Sequence, residues 1–236
     1  LLSVVDSASK LEGLEFTYWA AAGALIGTHR HHGLIPWDDD ADLHLLAGDL
    51  EHFLAALPAV DSRVEVAQAV NPRKDDRKLQ LWKVYFKDGT PIEGPHGTFP
   101  WTAPFLDVFT VDEVDGVFYE LRFGPKWTQV WRSFTFMEHS EVFPLVRRPY
   151  GQLTINAPQK GIDIMRKRFG PGWKTKCQTK EYSHLNEKHT FQRVFAVPCS
   201  WLDDIAPRVV LAGSPVPSVS SETLRLGDDV LHTVVL

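Results

Sequence analysis

The sequence predicts a mixed α/β domain of the α+β class, in which a small sheet is packed by helices. Apolar residues recur at spacings of three and four near the start of the chain, which is typical of an amphipathic helix. Strand-like runs follow, of which "LQLWKVYF" (79–86) and "FLDVFTV" (105–111) are the clearest. A further helical segment comes after Pro158, so helices and strands are mixed along the chain.

Size and composition indicate one globular unit. We expect a single domain over residues 1–236, with a less regular tail from about 200. Hydrophobic residues make up 44% and charged residues 23%, which are ordinary values. The net charge of −5 lacks the basic excess of a nucleic-acid-binding surface, and no apolar run approaches the ~20 residues of a membrane span. Because residue 1 is Leu, we expect a processed form or an excised segment.

Helices are predicted where apolar residues share one face and where the flanking residues favour helix ends. These helices cover residues 7–22, the segment "GDLEHFLAALPAV" (48–60) with Asp49 as N-cap, and the stretch between Pro158 and Gly170. The small residues of "GALIG" (23–27) are expected to break the first helix and to lead into a short helix or turn.

Strands are predicted from alternating or continuous apolar runs, and loops from Gly, Pro and charged clusters. Predicted extended segments are 38–45, 64–70, 79–86, 105–111, 117–123 and 147–156, together with one last short strand near the end. Predicted turns and loops are the charged segment 71–78, the Gly- and Pro-rich segment 88–104 and the turn 112–116.

The stretch "GLIPWDDDADLHL" (33–45) places four aspartates within five positions, between apolar residues. In a strand, Asp40 and Asp42 point to the same side with Cα atoms ~7 Å apart, so their carboxylates can converge on one divalent cation. Asp107, the single charge in "PFLDVFTV", is the best third ligand, because an isolated Asp in an apolar strand needs a partner. Asp38 shares their face, whereas Asp39 is expected to point away. Oxygen ligands of this kind suit Mg²⁺ or Mn²⁺.

Other interpretations of the acidic stretch explain less of it. A solvated acidic loop would not be flanked by Trp37 and by so many apolar residues. An EF-hand would require Gly at the position of Leu43 and Glu at the position of Asp49. A helix N-cap would account for one aspartate but not for four.

Upstream residues offer phosphate-binding and metal-binding groups whose roles the sequence leaves open. "GALIG" could begin a helix whose N–H groups face a phosphate. Arg30 either clamps a phosphate or pairs with the nearby aspartates. His29, His31 and His32 are either metal ligands or exposed loop histidines.

The two cysteines, Cys177 and Cys199, are too few for a structural zinc site. They either form a disulfide in an oxidising compartment or remain buried thiols. The first alternative favours an oxidising lumen over the cytoplasm as the location of the chain.

The segment "YWAAAGALIGTHRHHGLIPWDDDADLHL" (18–45) resembles the signature of the LicD and fukutin-related protein family. In that family, a Gly-Gly-(Ser/Thr)-Leu-Leu-Gly segment leads to Arg-His and then to Ile-Pro-Trp-Asp-x-Asp-x-Asp. "PFLDVF" and "RRPYGQLTINAPQKGIDIMRKRFGPGW" are weaker echoes of later family segments. This chain departs from the pattern at two positions, with Ala24 in place of the usual Ser or Thr and Ala22 where the family often has Gly.

The resemblance implies a nucleotidyltransferase-like fold, a small mixed sheet flanked by helices. It further implies a phosphotransferase that moves a phosphorylated alcohol from a CDP-linked donor, of the CDP-choline or CDP-ribitol class, to a glycan or glycoprotein hydroxyl. The implied metal ligands are Asp38, Asp40, Asp42 and Asp107, of which the last three are also the implied catalytic residues. The implied substrate-binding residues are Gly23, Ala24, Arg30, His31 and Lys83.

Two other functions remain open at this stage. A glycosyltransferase with an Asp-x-Asp motif would normally have a nucleotide-binding βαβ unit before that motif, but only 39 residues precede Asp40. A catalytically degenerate, glycan-binding member of the family would fit the departures at Ala22 and Ala24. The loop 89–104, with Phe99 and Trp101, is either the acceptor wall or a packed surface segment.

Overall fold

A mixed sheet of seven strands forms the centre of the part of the chain that the structure describes. The structure is a computed structural model that describes residues 1–70, 78–94, 97–121, 136–179, 182–184, 186–189, 194–212 and 221–235. The sheet strands are β1 (Tyr18–Ala20), β2 (Ala41–Leu46), β3 (Val64–Val70), β4 (Lys78–Gly94), β5 (Gly97–Val114), β6 (Val117–Glu120) and β7 (Met137–Glu138). Their order is β1-β2-β5-β4-β3, with β6 on β5 and β7 on β6. The pair β2–β5 is parallel and the other pairs are antiparallel.

Five α-helices flank the strands in the described ranges. They are α1 (Leu2–Ala8), α2 (Ala22–Arg30), α3 (Leu50–Val60), α4 (His139–Val142) and α5 (Gly161–Phe169). Short 3₁₀ helices cover Ala47–Asp49, Pro171–Lys174 and Cys199–Leu202. The mixed α/β class is therefore confirmed.

Smaller sheets account for the remaining strands. Their strands are β8 (Val146–Tyr150), β9 (Leu153–Ala157), β10 (Lys176–Gln178), β11 (Tyr182–Ser183), β12 (Lys188–His189), β13 (Ala196–Pro198), β14 (Arg208–Ala212), β15 (Ser221–Leu226) and β16 (Asp229–Val235). The pairs β8–β9, β10–β13 and β11–β12 form separate ribbons, while β14, β15 and β16 form one antiparallel sheet.

Alternation along β2 separates an apolar face from a polar face. Leu43 and Leu45 are fully buried in the main core, where they belong to the same cluster as Phe53 and Leu57 of α3. Successive side chains of a strand point to opposite faces, so Asp42 and His44 lie on the other side. The core therefore fixes the direction in which Asp42 projects from β2.

The first predicted helix is wrong over most of its length. Helix α1 ends at Ala8, and Tyr18–Ala20 form a strand that pairs with β2, Tyr18 opposite Leu45. The apolar residues of this region match a helical spacing, but Tyr18 and Ala20 are buried as parts of a strand at the sheet edge. Helix α2 then runs through "GALIG", where a break was expected.

Residues 88–94 lie in β4 and residues 97–104 lie in its partner β5, so the loop predicted over 88–104 is wrong there, while residues 95–96 lie outside the described residues. Ile92, Trp101 and Phe105 form a second apolar cluster with neighbouring residues. The gain from burying these large side chains outweighs the weak strand propensity of the Gly and Pro residues between them. Trp101 is 2% exposed, and its ring centroid lies 5.0 Å from that of Phe99. This packing agrees with the alternative in which residues 89–104 form a packed surface segment.

Several other predicted elements agree with the structure. The helix near 48–60, the strand 64–70 and the helix after Pro158 correspond to α3, β3 and α5. The hairpin across the turn 112–116 is also present, because β6 pairs with the end of β5. Residues 71–77 of the predicted charged turn and residues 122–123 of the predicted last hairpin arm lie outside the described residues.

Among the described residues, the last part of the chain is more regular than expected, because β14, β15 and β16 lie there and only one last short strand was predicted. Glu222 of β15 accepts a hydrogen bond from His32 Nε2 at 2.8 Å and forms a buried ion pair with Arg148. Burial raises the pKa of Glu222, but His32 and Arg148 outweigh it and lower the pKa below its usual value. These contacts join residues that are far apart in sequence, which local patterns do not reveal.

The two cysteines form a disulfide, which decides between the alternatives left open by the sequence. Cys177 and Cys199 are 4.9 Å apart between Cα atoms, and their bond joins β10 to the 3₁₀ helix that follows β13.

No helix in the described ranges is both long and apolar enough to cross a membrane.

Asp6 of α1 is expected to make stability depend on acidic pH. Its carboxylate accepts hydrogen bonds from Tyr18 (2.6 Å), Lys10 (2.8 Å) and Arg147 (2.5 Å). Burial raises its pKa, but these bonds prevail and lower it to about 2. The contribution is therefore complete above the unfolded pKa near 4 and is lost as pH falls toward 2. Asp6→Asn should lower the free energy of unfolding at pH 7 by about 1 kcal/mol, since solvent screens a partly exposed carboxylate.

Urea unfolding of the wild type and of Asp6→Asn between pH 7 and pH 3 measures this contribution. The difference between the two proteins should shrink as pH falls. A constant difference over this range would contradict the assignment.

Ala22, at the start of α2, is expected to be a strained position. Its φ is 37°, in the left-handed region where a Cβ atom is unfavourable. Ala22→Gly should therefore raise the free energy of unfolding by about 1 kcal/mol, although Gly normally weakens helices. Ala24→Gly is the matched control, because Ala24 lies in the same helix but does not have a positive φ. This substitution should lower the free energy of unfolding. Urea unfolding checks the sign, and two changes of equal sign would refute the assignment.

Candidate functional site

The register of three neighbouring strands aligns two carboxylates and an ammonium group. Asp42 of β2 lies opposite Asp107 of β5 in the parallel pair. Asp107 in turn lies opposite Lys83 of β4 in the antiparallel pair. The sheet thus brings together one charged residue from each strand, although the three are far apart in sequence.

A group of possible metal ligands lies beside these aligned residues and includes Asp107. One ligand atom each of Asp40, Asp107 and His184 lies within 4.8 Å of the others. His184 Nε2 is 3.2 Å from Asp40 Oδ2, and His184 Nδ1 is 3.7 Å from Asp107 Oδ2. Asp40 and Asp107 are buried, whereas His184 is partly exposed. The site therefore combines carboxylate oxygens with an imidazole.

The N-terminal end of α2 faces the same acidic residues. Gly23 donates its backbone N–H to Asp42 Oδ2 at 3.0 Å. A Cβ atom on Gly23 would lie 2.8 Å from Asp38 Oδ2 and 3.3 Å from Asp42 Oδ2, so the absence of a side chain permits this close approach. The partial positive charge of a helix N-terminus favours anions at such a position.

Like charges in a buried setting shift the ionisation of the cluster. Burial and the charges of Asp40, Asp107 and Asp38 raise the pKa of Asp42 well above its usual value. Burial also raises the pKa of Asp107, against the opposing effect of Lys83 and His184. A divalent cation would relieve both effects, because it favours the ionised carboxylates. The donor set and its electrostatics fit a divalent ion such as Mg²⁺ or Mn²⁺.

Lys83 is a buried member of the site. Its Nζ is 2.7 Å from Asp107 Oδ1 and 2.8 Å from Glu187 Oε1. The ammonium also lies 4.0 Å from the centroid of the Phe105 ring, within cation–π range. Lys83 thus places a positive charge beside the carboxylates, and its role toward substrate stays a prediction.

Asp38, Asp39 and Asp40 form a second carboxylate group, with one oxygen of each within 4.8 Å of the others. The prediction that Asp39 points away rested on strand alternation from Asp38 onward. Strand β2 begins only at Ala41, so the alternation does not extend to these residues. Asp39 also lies near β11, where Ser183 Oγ is 3.5 Å from its Oδ2.

The structure places Arg30 and His31 in contacts with later backbone carbonyls. Arg30 Nη1 donates to the carbonyl oxygens of Trp173 (2.7 Å) and Lys176 (3.3 Å). His31 Nδ1 lies 2.6 Å from the carbonyl oxygen of Pro207. These contacts fasten the segment after α5 to α2. A phosphate-binding role for either residue stays a prediction.

Burial also affects the ionisation of Arg30 and His31. Burial and the charge of Arg208 lower the pKa of Arg30 to about 10. Burial lowers the pKa of His31 to about 4, against the hydrogen bond to Pro207, so His31 is neutral at pH 7.

Three further residues of the predicted signature face the protein interior. Ala24 is 1% exposed in the main core. His29 is buried, and burial lowers its pKa to about 3. His32 contacts Glu222 through Nε2, and its Nδ1 is 2.9 Å from His232 Nε2.

His184, Glu187 and Tyr150 were not predicted as site residues. Burial raises the pKa of Tyr150, and the charges of Asp42, Asp38 and Asp40 raise it further. That buried hydroxyl has no hydrogen-bond partner among the described residues. "EYSHLNEKH" carries no periodic or motif signal, so nothing in the sequence singles out His184 or Glu187.

Several known proteins are similar to this chain in sequence, at identities between 22% and 25%. An uncharacterized protein of Rickettsia typhi is 22% identical over 178 residues, which cover 75% of this chain and 45% of that protein. An uncharacterized protein of Rickettsia prowazekii is 23% identical over 160 residues, 66% of this chain and 48% of the relative. The human protein named ribitol 5-phosphate transferase FKRP is 25% identical over 165 residues, 69% of this chain and 29% of the human protein. The chain thus spans less than half the length of these curated relatives.

The family comparison covers the strands and helices that build the acidic site. Residues 15–160 match the family described as LicD/FKTN/FKRP, nucleotidyltransferase domain. This range contains Gly23, all four aspartates of the acidic stretch, Lys83 and Asp107, whereas His184 and Glu187 lie beyond it. The chain belongs to the LicD/FKTN/FKRP nucleotidyltransferase-domain family.

Proposed function

We propose that this chain transfers a phosphorylated alcohol from a CDP-linked donor, of the CDP-ribitol or CDP-choline class, to a hydroxyl of a glycan or glycoprotein. The observation that carries the proposal is the aligned row of Asp42, Asp107 and Lys83, with Asp40 beside it. Family membership supports a transferase of phosphate-containing groups, and the name of the human relative supports ribitol phosphate as the transferred group.

In this proposal, separate residues of the site bind the cation and the donor phosphates. Asp40, Asp42 and Asp107, with Asp38 nearby, would hold Mg²⁺ or Mn²⁺. The bound ion would neutralise phosphate oxygens of the donor. Lys83 adds a positive charge on the opposite side of Asp107. The N-terminal end of α2 presents its partial positive charge to the donor phosphates.

The reaction is a substitution at phosphorus. The acceptor hydroxyl oxygen forms a bond to the phosphorus atom that carries the alcohol, and the bond from that phosphorus to CMP breaks. The hydroxyl proton passes to a carboxylate of the site, for which Asp107 is our candidate, and CMP leaves with the negative charge.

The compartment is part of the proposal. The Cys177–Cys199 disulfide supports an oxidising location, because disulfides persist there and are rare in reducing compartments. We propose the Golgi lumen in preference to the cytoplasm.

Release of CMP from CDP-ribitol and CDP-choline, with Mg²⁺ or Mn²⁺ and a glycan acceptor, tests the function. Asp42→Asn and Asp107→Asn should each lower kcat by at least about 100-fold, because each removes a charge that the site needs for the cation. Asp112→Asn is the matched control, since Asp112 lies on the same strand as Asp107 but is exposed. It should retain wild-type turnover.

Two results would contradict the proposal. Turnover of a UDP-sugar in place of the CDP-alcohols would indicate a glycosyltransferase. Absence of nucleotide binding and of turnover with every donor would indicate a degenerate binding protein.

Gly23→Ala tests the close approach of α2 to the carboxylates. The new Cβ would displace Asp38 and Asp42, so the KM for the CDP-linked donor should rise by about tenfold while the protein remains folded. Steady-state kinetics and far-UV circular dichroism check both parts. An unchanged KM would mean that the donor does not depend on this contact.

A further inference from the structure

The histidine of the site comes from a part of the chain outside the family match. The match ends at residue 160, whereas His184 follows β11. Its Nε2 lies near Asp40, which directly precedes β2, and its Nδ1 lies near Asp107 of β5. A side chain from a later segment thus reaches the point where the matched segments converge.

The position of His184 is built by contacts on both sides of it. Tyr182 donates its hydroxyl to Glu187 Oε2 at 2.7 Å, and Glu187 Oε1 is 2.8 Å from Lys83 Nζ. The ring of His184 lies 4.9 Å from that of Tyr182 and 6.0 Å from that of Phe105, between centroids. The β11–β12 ribbon is therefore tied to β4 of the central sheet through the Lys83–Glu187 ion pair.

The distances agree with shared coordination of one ion. Ligand atoms ~2.1 Å from an octahedrally coordinated ion lie ~3 Å from their neighbours in the coordination shell. The 3.2 Å between His184 Nε2 and Asp40 Oδ2 is close to that spacing. His184 Nδ1 lies 3.7 Å from Asp107 Oδ2, beyond hydrogen-bond distance, so the ring lies beside both carboxylates with Nε2 nearer to Asp40.

We infer that His184 is a nitrogen ligand of the divalent ion and that the site prefers Mn²⁺ to Mg²⁺. The inference rests on the proposed function, because it concerns the ion that this function uses. Mg²⁺ is a hard cation that prefers oxygen ligands and gives up its water reluctantly, so a nitrogen ligand disfavours Mg²⁺ relative to Mn²⁺, a first-row transition ion.

Electron paramagnetic resonance of Mn²⁺ bound to the full chain tests the inference without any turnover. The wild type should show modulation of the electron spin echo by a directly bound ¹⁴N nucleus, and Mg²⁺ should displace Mn²⁺ poorly. His184→Ala should abolish the ¹⁴N modulation and weaken Mn²⁺ binding at least about tenfold, with a smaller effect on Mg²⁺. His184→Asn, which keeps a polar side chain, should lose the nitrogen signal equally.

His189→Ala is the matched control, because His189 is exposed on the partner strand of the same ribbon. It should keep the ¹⁴N modulation and the affinity for Mn²⁺. Thermal unfolding of each variant shows whether the ribbon still folds.

The outcomes distinguish a failure of this inference from a failure of the proposed function. Mn²⁺ bound without ¹⁴N modulation, together with normal release of CMP, would overturn the nitrogen ligand and leave the proposed function intact. Persistence of the modulation in His184→Ala would also overturn it. Failure of the wild type to bind any divalent ion, with no release of CMP, would overturn both.

Discussion

The parallel pairing of β2 with β5 is the constraint on which the site depends. It sets Asp42 opposite Asp107, and two carboxylates at that spacing repel each other in a setting partly shielded from water. A register shift of one residue would send one of them into the apolar core. The apolar faces of both strands prevent such a shift, because Leu43 and Val108 are fully buried. Packing on one side of the sheet thus maintains the charge concentration on the other.

Neighbouring groups moderate that repulsion in different ways. The N–H of Gly23 bonds to Asp42, and Lys83 contacts Asp107. Glu187 in turn balances Lys83, so the charges form a connected series from α2 to the β11–β12 ribbon. A site of this kind has a net negative charge in the absence of a cation. Its electrostatics therefore favour a positive ion at this position.

Local sequence signals located the aspartates that the sheet brings together, but not all of the residues that surround them. The aspartates could be located because strand alternation and an isolated Asp in an apolar run are local signals, and the family resemblance extended them to Gly23. Helix α3 and helix α5 were predictable for the same reason. His184 could not be predicted, since its position depends on an ion pair between Lys83 and Glu187, which are 104 residues apart.

The errors in the fold have a similar origin. The hairpin of β4 and β5 contains Gly and Pro, which locally indicate a loop, but its large apolar side chains form a cluster of their own. The strand β1 was hidden within a helical pattern, because its pairing with β2 is a long-range contact. Local propensity describes these segments poorly wherever burial by distant residues dominates.

The anchoring of α2 by later residues bears on where the folding unit ends. Arg30 uses its guanidinium on carbonyls beyond residue 170, and His32 and Arg148 converge on Glu222. If the chain stopped where the family match stops, these buried polar groups would lose their partners, at a cost comparable to the whole stability of a domain. The contacts that hold α2 therefore extend past residue 160, where the family match ends, and include side chains and carbonyls of the terminal third of the chain.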